Sequence, residues 1–97
     1  MESLIIPEQD IINAICLDVA KKTQIPPENV EVELFYDDEQ EETFTGKATI
    51  DGQAYSLQTI HIIEALRLWL EEIIHTNPNR GIQLQLDDEE GIVALIH

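Results

Sequence analysis

Carboxylates are the groups this chain supplies in quantity for chemistry, and they concentrate in two runs, Asp37-Asp38-Glu39-Gln40-Glu41-Glu42 and Asp87-Asp88-Glu89-Glu90. Clustered carboxylates suit hard cations, since Mg²⁺ and Ca²⁺ prefer oxygen ligands. A calcium loop, however, sets its acids on alternate positions around an interior glycine, and neither run does so. Consecutive carboxylates at a turn point in divergent directions, so both runs read as solvated turns and no metal ligand is assigned. Other reactive groups are isolated. Glu72-Ile73-Ile74-His75 is an E-x-x-H, which di-iron bundles use in facing pairs, but it occurs once. On a helix His61 and His75 lie about 40° apart around the axis but nearly four turns apart along it, too far to share an ion. His97 is terminal. Cys16 falls on the expected core face of a helix, where a buried thiol is inert. Ser3 and Ser56 have no partner pattern, and there is no glycine-rich phosphate loop. The chain is therefore expected to be non-catalytic, with no catalytic residue, cofactor or metal site assigned.

The charge balance constrains partners more sharply. Five Lys and Arg oppose twenty Asp and Glu, a formal charge of −15. Nucleic-acid binding draws much of its affinity from Lys and Arg on phosphate, so nucleic acid is excluded as a partner. Anionic membrane surfaces are excluded for the same reason. Basic proteins and divalent cations remain. The single cysteine, Cys16, has no partner for a disulfide within the chain. No apolar run reaches the roughly 18 residues of a membrane span. No basic residue precedes Lys21, so the start does not read as a secretory signal. A reducing, cytoplasmic setting is expected.

The elements that must position these groups follow from periodicity. At 97 residues with 43% apolar content, the chain is expected to form a single domain. Pro7-Glu8-Gln9-Asp10 opens a helix, with proline in the first turn and acids facing the positive end of the dipole. Ile12, Ile15, Cys16 and Val19 form its apolar face, flanked by Glu8 and Ile11, and Pro26-Pro27 stop it. Val30–Tyr36 alternates as a first strand with Val30, Val32, Leu34 and Tyr36 inward. The acidic run 37–42 turns the chain into a second strand, 43–50, with Phe44, Ala48 and Ile50 inward. Asp51-Gly52 is a hairpin turn, leading to a short strand from Ala54 to about Gln58. A second helix spans Thr59 to His75, with Ile62, Ala65, Leu66, Trp69 and Ile73 as its stripe and Ile63 and Leu70 at the margin. After the breaker at 76–81, Ile82, Leu84 and Leu86 alternate as strand four. Asp87 to Gly91 turns the chain into strand five, Ile92–Ile96, apolar on both faces and hence central in a sheet or covered by another chain. The order α-β-β-β-α-β-β predicts a two-layer α+β sandwich, with two helices on one face of a largely antiparallel five-stranded sheet.

This layout leaves an outer sheet face that mixes polar and apolar groups. Strand one places Glu31, Glu33 and Phe35 there, and strand five adds Val93 and Leu95. Together with Asp37, Asp38, Glu39, Glu41, Glu42, Asp87, Asp88, Glu89 and Glu90, they form the expected partner-binding set. The expected partner is a basic protein, with a homodimer as a second form, since Leu17 and Leu68 also fall on otherwise polar helix faces. Two other classes stay open: a carboxylate-dependent, metal-assisted hydrolase using the acidic turns, and an acidic nucleic-acid mimic.

Two resemblances bear on this. The α-β-β-β-α order of residues 7–76 is similar to that of double-stranded-RNA-binding domains. Such domains carry a lysine cluster at the start of the last helix, whereas this chain reads Thr59-Ile60-His61-Ile62-Ile63-Glu64, so RNA binding does not carry over. The second likeness lies in Met1-Glu2-Ser3-Leu4-Ile5-Ile6-Pro7-Glu8-Gln9-Asp10, Val30-Glu31-Val32-Glu33-Leu34, Glu64-Ala65-Leu66-Arg67-Leu68-Trp69-Leu70-Glu71-Glu72 and Leu86-Asp87-Asp88-Glu89-Glu90-Gly91-Ile92. These stretches resemble the YxcD-like family of small acidic proteins from Bacillus-like bacteria. That resemblance implies a bacterial cytoplasmic protein and supplies no activity, cofactor or catalytic residue.

Overall fold

The computed structural model describes residues 4–97; Met1, Glu2 and the Ser3 hydroxyl considered above lie outside the described residues. Strand β1 (Leu4–Ile6) leads through Pro7 into helix α1 (Glu8–Thr23). A 3₁₀ turn at Pro27–Asn29 precedes β2 (Val30–Tyr36), β3 (Phe44–Ile50) and β4 (Gln53–Leu57). Helix α2 (Thr59–Trp69) continues as a π-turn over Leu70–Ile74, and β5 (Ile82–Asp87) and β6 (Gly91–Ile96) complete the chain.

The strands pair antiparallel in two three-stranded sheets, β1-β6-β5 and β2-β3-β4. The α+β class holds, but the expected single five-stranded sheet is corrected to six strands in two sheets. The added strand, β1, is three residues long and too short to show alternation. It pairs with β6 from Leu4↔Ile96 to Ile6↔Ala94, so β6 is the central strand of its sheet. Its apolar character on both faces has that cause. The split itself lies beyond sequence periodicity: β2-β3-β4 and β5-β6 form as local hairpins, and alternation does not say whether hairpins join edge to edge.

Helix α1 serves both sheets, and this widens its apolar arc. Ile11, Ala14 and Ile15 are buried with Ile92, Ala94 and Ile96 of β6. Cys16 packs instead toward Val30, Ala48 and Ile50 of the β2-β3-β4 sheet, and Val19 touches both clusters. Ile11, expected as a flank, is therefore fully buried, whereas Ile12 is only half-buried. The helix ends at Thr23, before the proline pair, with Gln24 in the left-handed conformation (φ 60).

Helix α2 buries Ile62, Ala65 and Leu66 as its spacing predicts. Beyond Trp69 the chain widens to π geometry, and the core position passes to Leu70, which is 0% exposed. Ile73, expected on the stripe, swings out to 47% exposure. A π-turn advances each side chain less around the axis than an α-turn, so the position after Leu70 that would return to the core falls beyond Ile73. His75 closes the segment at φ 60, and the Thr76 amide donates to the Leu70 carbonyl at 2.9 Å.

Candidate interaction surface

The β2-β3-β4 sheet separates its two faces cleanly. Val30, Ala48 and Ile50 are buried toward the helices. The opposite face carries Glu31, Glu33 and Phe35 from β2, paired across the ladder with Thr49, Lys47 and Thr45 of β3. Ala54 and Ser56 of β4 lie opposite Thr49 and Lys47. Lys47 reaches Glu33 at 3.8 Å, the charge offset that strand parity predicts. Phe35 stays 43% exposed, an aromatic ring left on an otherwise polar face.

The first acidic run is the β2–β3 loop, and several hydrogen bonds hold it in place. The Asp37 amide donates to the Thr43 carbonyl at 2.9 Å, and Asp37 Oδ1 accepts the Glu39 amide at 3.0 Å. Glu42 Oε1 accepts the Thr59 amide at 3.3 Å, placing a carboxylate at the positive end of α2. Thr59 Oγ1 donates in turn to the Phe44 carbonyl at 2.6 Å. Tyr36 and Phe44, cross-strand partners at the base of the loop, pack with ring centroids 5.2 Å apart. Asp37 and Glu42 thus shape the loop, while Asp38, Glu39 and Glu41 project from it exposed. An open hollow of about 720 Å³ lies beside it, lined by Phe35, Asp37, Gln40, Glu41, Glu42 and Thr45. Thr45 lines it from the outer face that strand parity gives it, opposite Phe35, and Gln40 is the neutral member of the run.

The second run follows the same rule. Asp87 Oδ1 accepts the amides of Glu89 and Glu90 at 2.9 and 3.0 Å. These two bonds hold the Asp87 carboxyl below its ordinary range, because N–H donors favour the ionised form. Gly91 completes the turn at φ +80, and a Cβ there would collide with the Glu8 carboxylate at the start of α1. Asp88, Glu89 and Glu90 are exposed.

The expected partner-binding residues therefore fall in three places. Glu31, Glu33, Phe35 and the 37–42 loop share one sheet, with Phe35 and the loop at one end and Glu31 at the other. Asp87–Glu90 belong to the β5–β6 turn of the other sheet. Val93 and Leu95 lie on the face of β6 opposite Ile92, Ala94 and Ile96. Leu95 is half-buried beside Ile5, which is 67% exposed, but Val93 is 5% exposed and offers little surface to a partner.

The isolated reactive groups have structural work. Cys16 is half-buried, burial pushes its thiol pKa up, and its Sγ lies 3.6 Å from the Val30 carbonyl. His61 Nδ1 accepts the Gln58 amide at 3.0 Å at the start of α2. Glu72 of the E-x-x-H pairs with Lys21 of α1. Among the described residues, no three His, Cys, Asp or Glu groups converge as a metal site. No helix among them is long and apolar enough to cross a membrane.

Two helices over paired three-stranded antiparallel sheets, with acidic hairpin turns and an exposed aromatic on one sheet face, define a small acidic α+β protein. The chain belongs to the family described as "Protein of unknown function (DUF2653)", which matches residues 1–89. It is 35% identical over 95 residues to "Uncharacterized protein YxcD" of Bacillus subtilis (strain 168), covering 96% of this chain and 91% of that protein. No solved structure matches the chain.

Proposed function

We propose that this chain is a non-catalytic interaction module, acting in the cytoplasm, whose β2–β3 hairpin receives a basic segment of a partner protein. The observation that carries the reading is Phe35, 43% exposed, in the wall of a hollow shared with Asp37, Glu41 and Glu42. A ring beside carboxylates suits a guanidinium or ammonium group, which gains both the charge and the ring face. The formal charge of −15 steers such a partner toward the molecule and repels phosphate backbones. Cys16, the one thiol, half-buried and hydrogen-bonded, fits a reducing compartment.

The test is capture from cell extract with the wild-type chain, Phe35→Ala and a variant neutralising Asp38, Glu39 and Glu41. Proteins retained by the wild type and lost by both variants support the reading. Retention that ignores both substitutions sinks it. A saturable melting shift specific to Mg²⁺ or Ca²⁺ transfers support to the metal-assisted hydrolase alternative. Competition with nucleic acid for a captured protein transfers it to the mimic. Self-association is proposed as a second form, through the face where Ile5 is 67% exposed beside Leu95. Sedimentation equilibrium of the wild type and Ile5→Glu tests it: a monomer in both removes the homodimer.

A further inference from the structure

We infer that the outer face of the β2-β3-β4 sheet takes an extended segment of a basic partner whose cationic residues are separated by a neutral stretch; this rests on the interaction-module reading above. The surface has acids at both ends, and in the middle a single carboxylate faced by a lysine. At one end, Asp37, Glu41 and Glu42 surround the hollow beside Phe35. At the other, Glu28, Glu31 and Asp51 line a second hollow with Asn29, Thr49 and Gly52. Between them the floor is small or neutral: Thr45 and Thr49 of β3, Ala54 and Ser56 of β4. The one central carboxylate, Glu33, is engaged by Lys47 at 3.8 Å. Lys47 is itself 41% exposed in its side chain, so a cation placed over the middle row meets an ammonium group.

Geometry then sets the ligand. Glu31 and Phe35 lie four positions apart on one strand face, and the loop carboxylates lie about two positions further. At about 3.3 Å per residue this is a span of roughly 13–20 Å. An extended segment covers it with about four to six residues, so its cationic side chains sit that far apart. A helical segment needs about 9–13 residues for the same span, and a compact basic block reaches only one end. The short side chains of Thr45, Thr49, Ala54 and Ser56 leave room for an extended chain with its side chains alternating toward and away from the surface.

Short capped peptides test this by chemical-shift mapping on the isotope-labelled protein at low salt. One carries two arginines about four or six positions apart, an even spacing that turns both toward the surface, in a Ser/Thr background. A control of the same composition places them side by side. The separated pair is expected to bind at least about fivefold more tightly, since both ends are engaged at once. It should shift the amides of Glu31, Thr45, Thr49 and Glu41 together. Lys47→Gln should narrow the preference by admitting the adjacent pair to the centre. Equal affinity for both peptides with salt-sensitive shifts confined to one acidic end overturns the extended mode while leaving an acidic module standing. No salt-sensitive shift on this face with either peptide overturns the module reading as well.

Discussion

At the scale of single residues, the first acid of each run behaves differently from those that follow. Asp37 and Asp87 both begin a turn and both spend a carboxylate oxygen on backbone amides two or three residues ahead. Short polar side chains at such positions substitute for a backbone turn. For Asp87 the carboxyl pKa is lowered in the folded chain by the amides of Glu89 and Glu90. A depressed folded pKa means the contribution is present above the unfolded value and is lost as pH falls through the folded one. Asp87→Ala should therefore lower the melting temperature at neutral pH, and the gap to wild type should close in acid. A gap that is constant across the carboxylate range would show that the charge on Asp87 has no part in it. Gly52 offers a cleaner backbone test, because a Cβ there meets nothing within 4 Å and only its φ of +80 is at stake. Gly52→Ala should cost about 1–2 kcal/mol by chemical denaturation, the strain of an L-residue in the left-handed region.

At the scale of elements, the most informative departure is the π-turn after α2. Helical spacing alone puts Ile73 on the core stripe and Leu70 at its margin, and the structure exchanges them. Leu70→Ala should therefore cost about 2–5 kcal/mol, as a fully buried leucine does. Ile73→Ala should stay within about 0.5 kcal/mol, as an exposed site does. Denaturant melts of the two variants decide the register, and the reverse ranking would return Ile73 to the core. Strand parity was legible in β3 and along β2 up to Phe35, because one face of each is buried and a period of two leaves no choice; Tyr36, expected inward, is 42% exposed where β2 runs out into the loop. Hence alternation along Val30–Tyr36 puts Glu31, Glu33 and Phe35 on the outer face, where the structure has them. The Asp51-Gly52 turn was legible for a similar local reason, since both residues adopt positive φ. What periodicity could not supply was non-local: the pairing of β1 with β6, the division into two sheets, and the double duty of α1 that buries Ile11. The same holds for the candidate site. The acids and Phe35 are visible in the sequence, but that Glu28 and Asp51 close the far end of the same face depends on strand pairing.

At the scale of the whole molecule, the charge of −15 acts on the fold as well as on partners. Of the basic side chains, Lys21 pairs with Glu72, Lys22 lies near Asp18 and Glu64, and Lys47 lies near Glu33. These pairs are largely exposed and worth little each, so they do not offset the excess of acid. Folding gathers the remaining carboxylates into a compact volume, with a Cα radius of gyration of 13.0 Å, and their mutual repulsion opposes it. Screening should relieve that repulsion: at about 0.1 M ionic strength the Debye length is roughly 10 Å, shorter than the molecule is wide. The melting temperature is therefore expected to rise with NaCl at neutral pH, steeply at first and then levelling once the charges are screened. Matched melts in MgCl₂ or CaCl₂ at equal ionic strength should superimpose on the NaCl curve if the divalent ions act through screening. A variant neutralising Asp38, Glu39, Glu41, Asp88, Glu89 and Glu90, all exposed, should melt higher than wild type at low salt and lose that advantage at high salt. A melting temperature that falls with NaCl, or a variant whose advantage persists at high salt, would mean that the acidic turns act through local structure and not through the field of the whole chain.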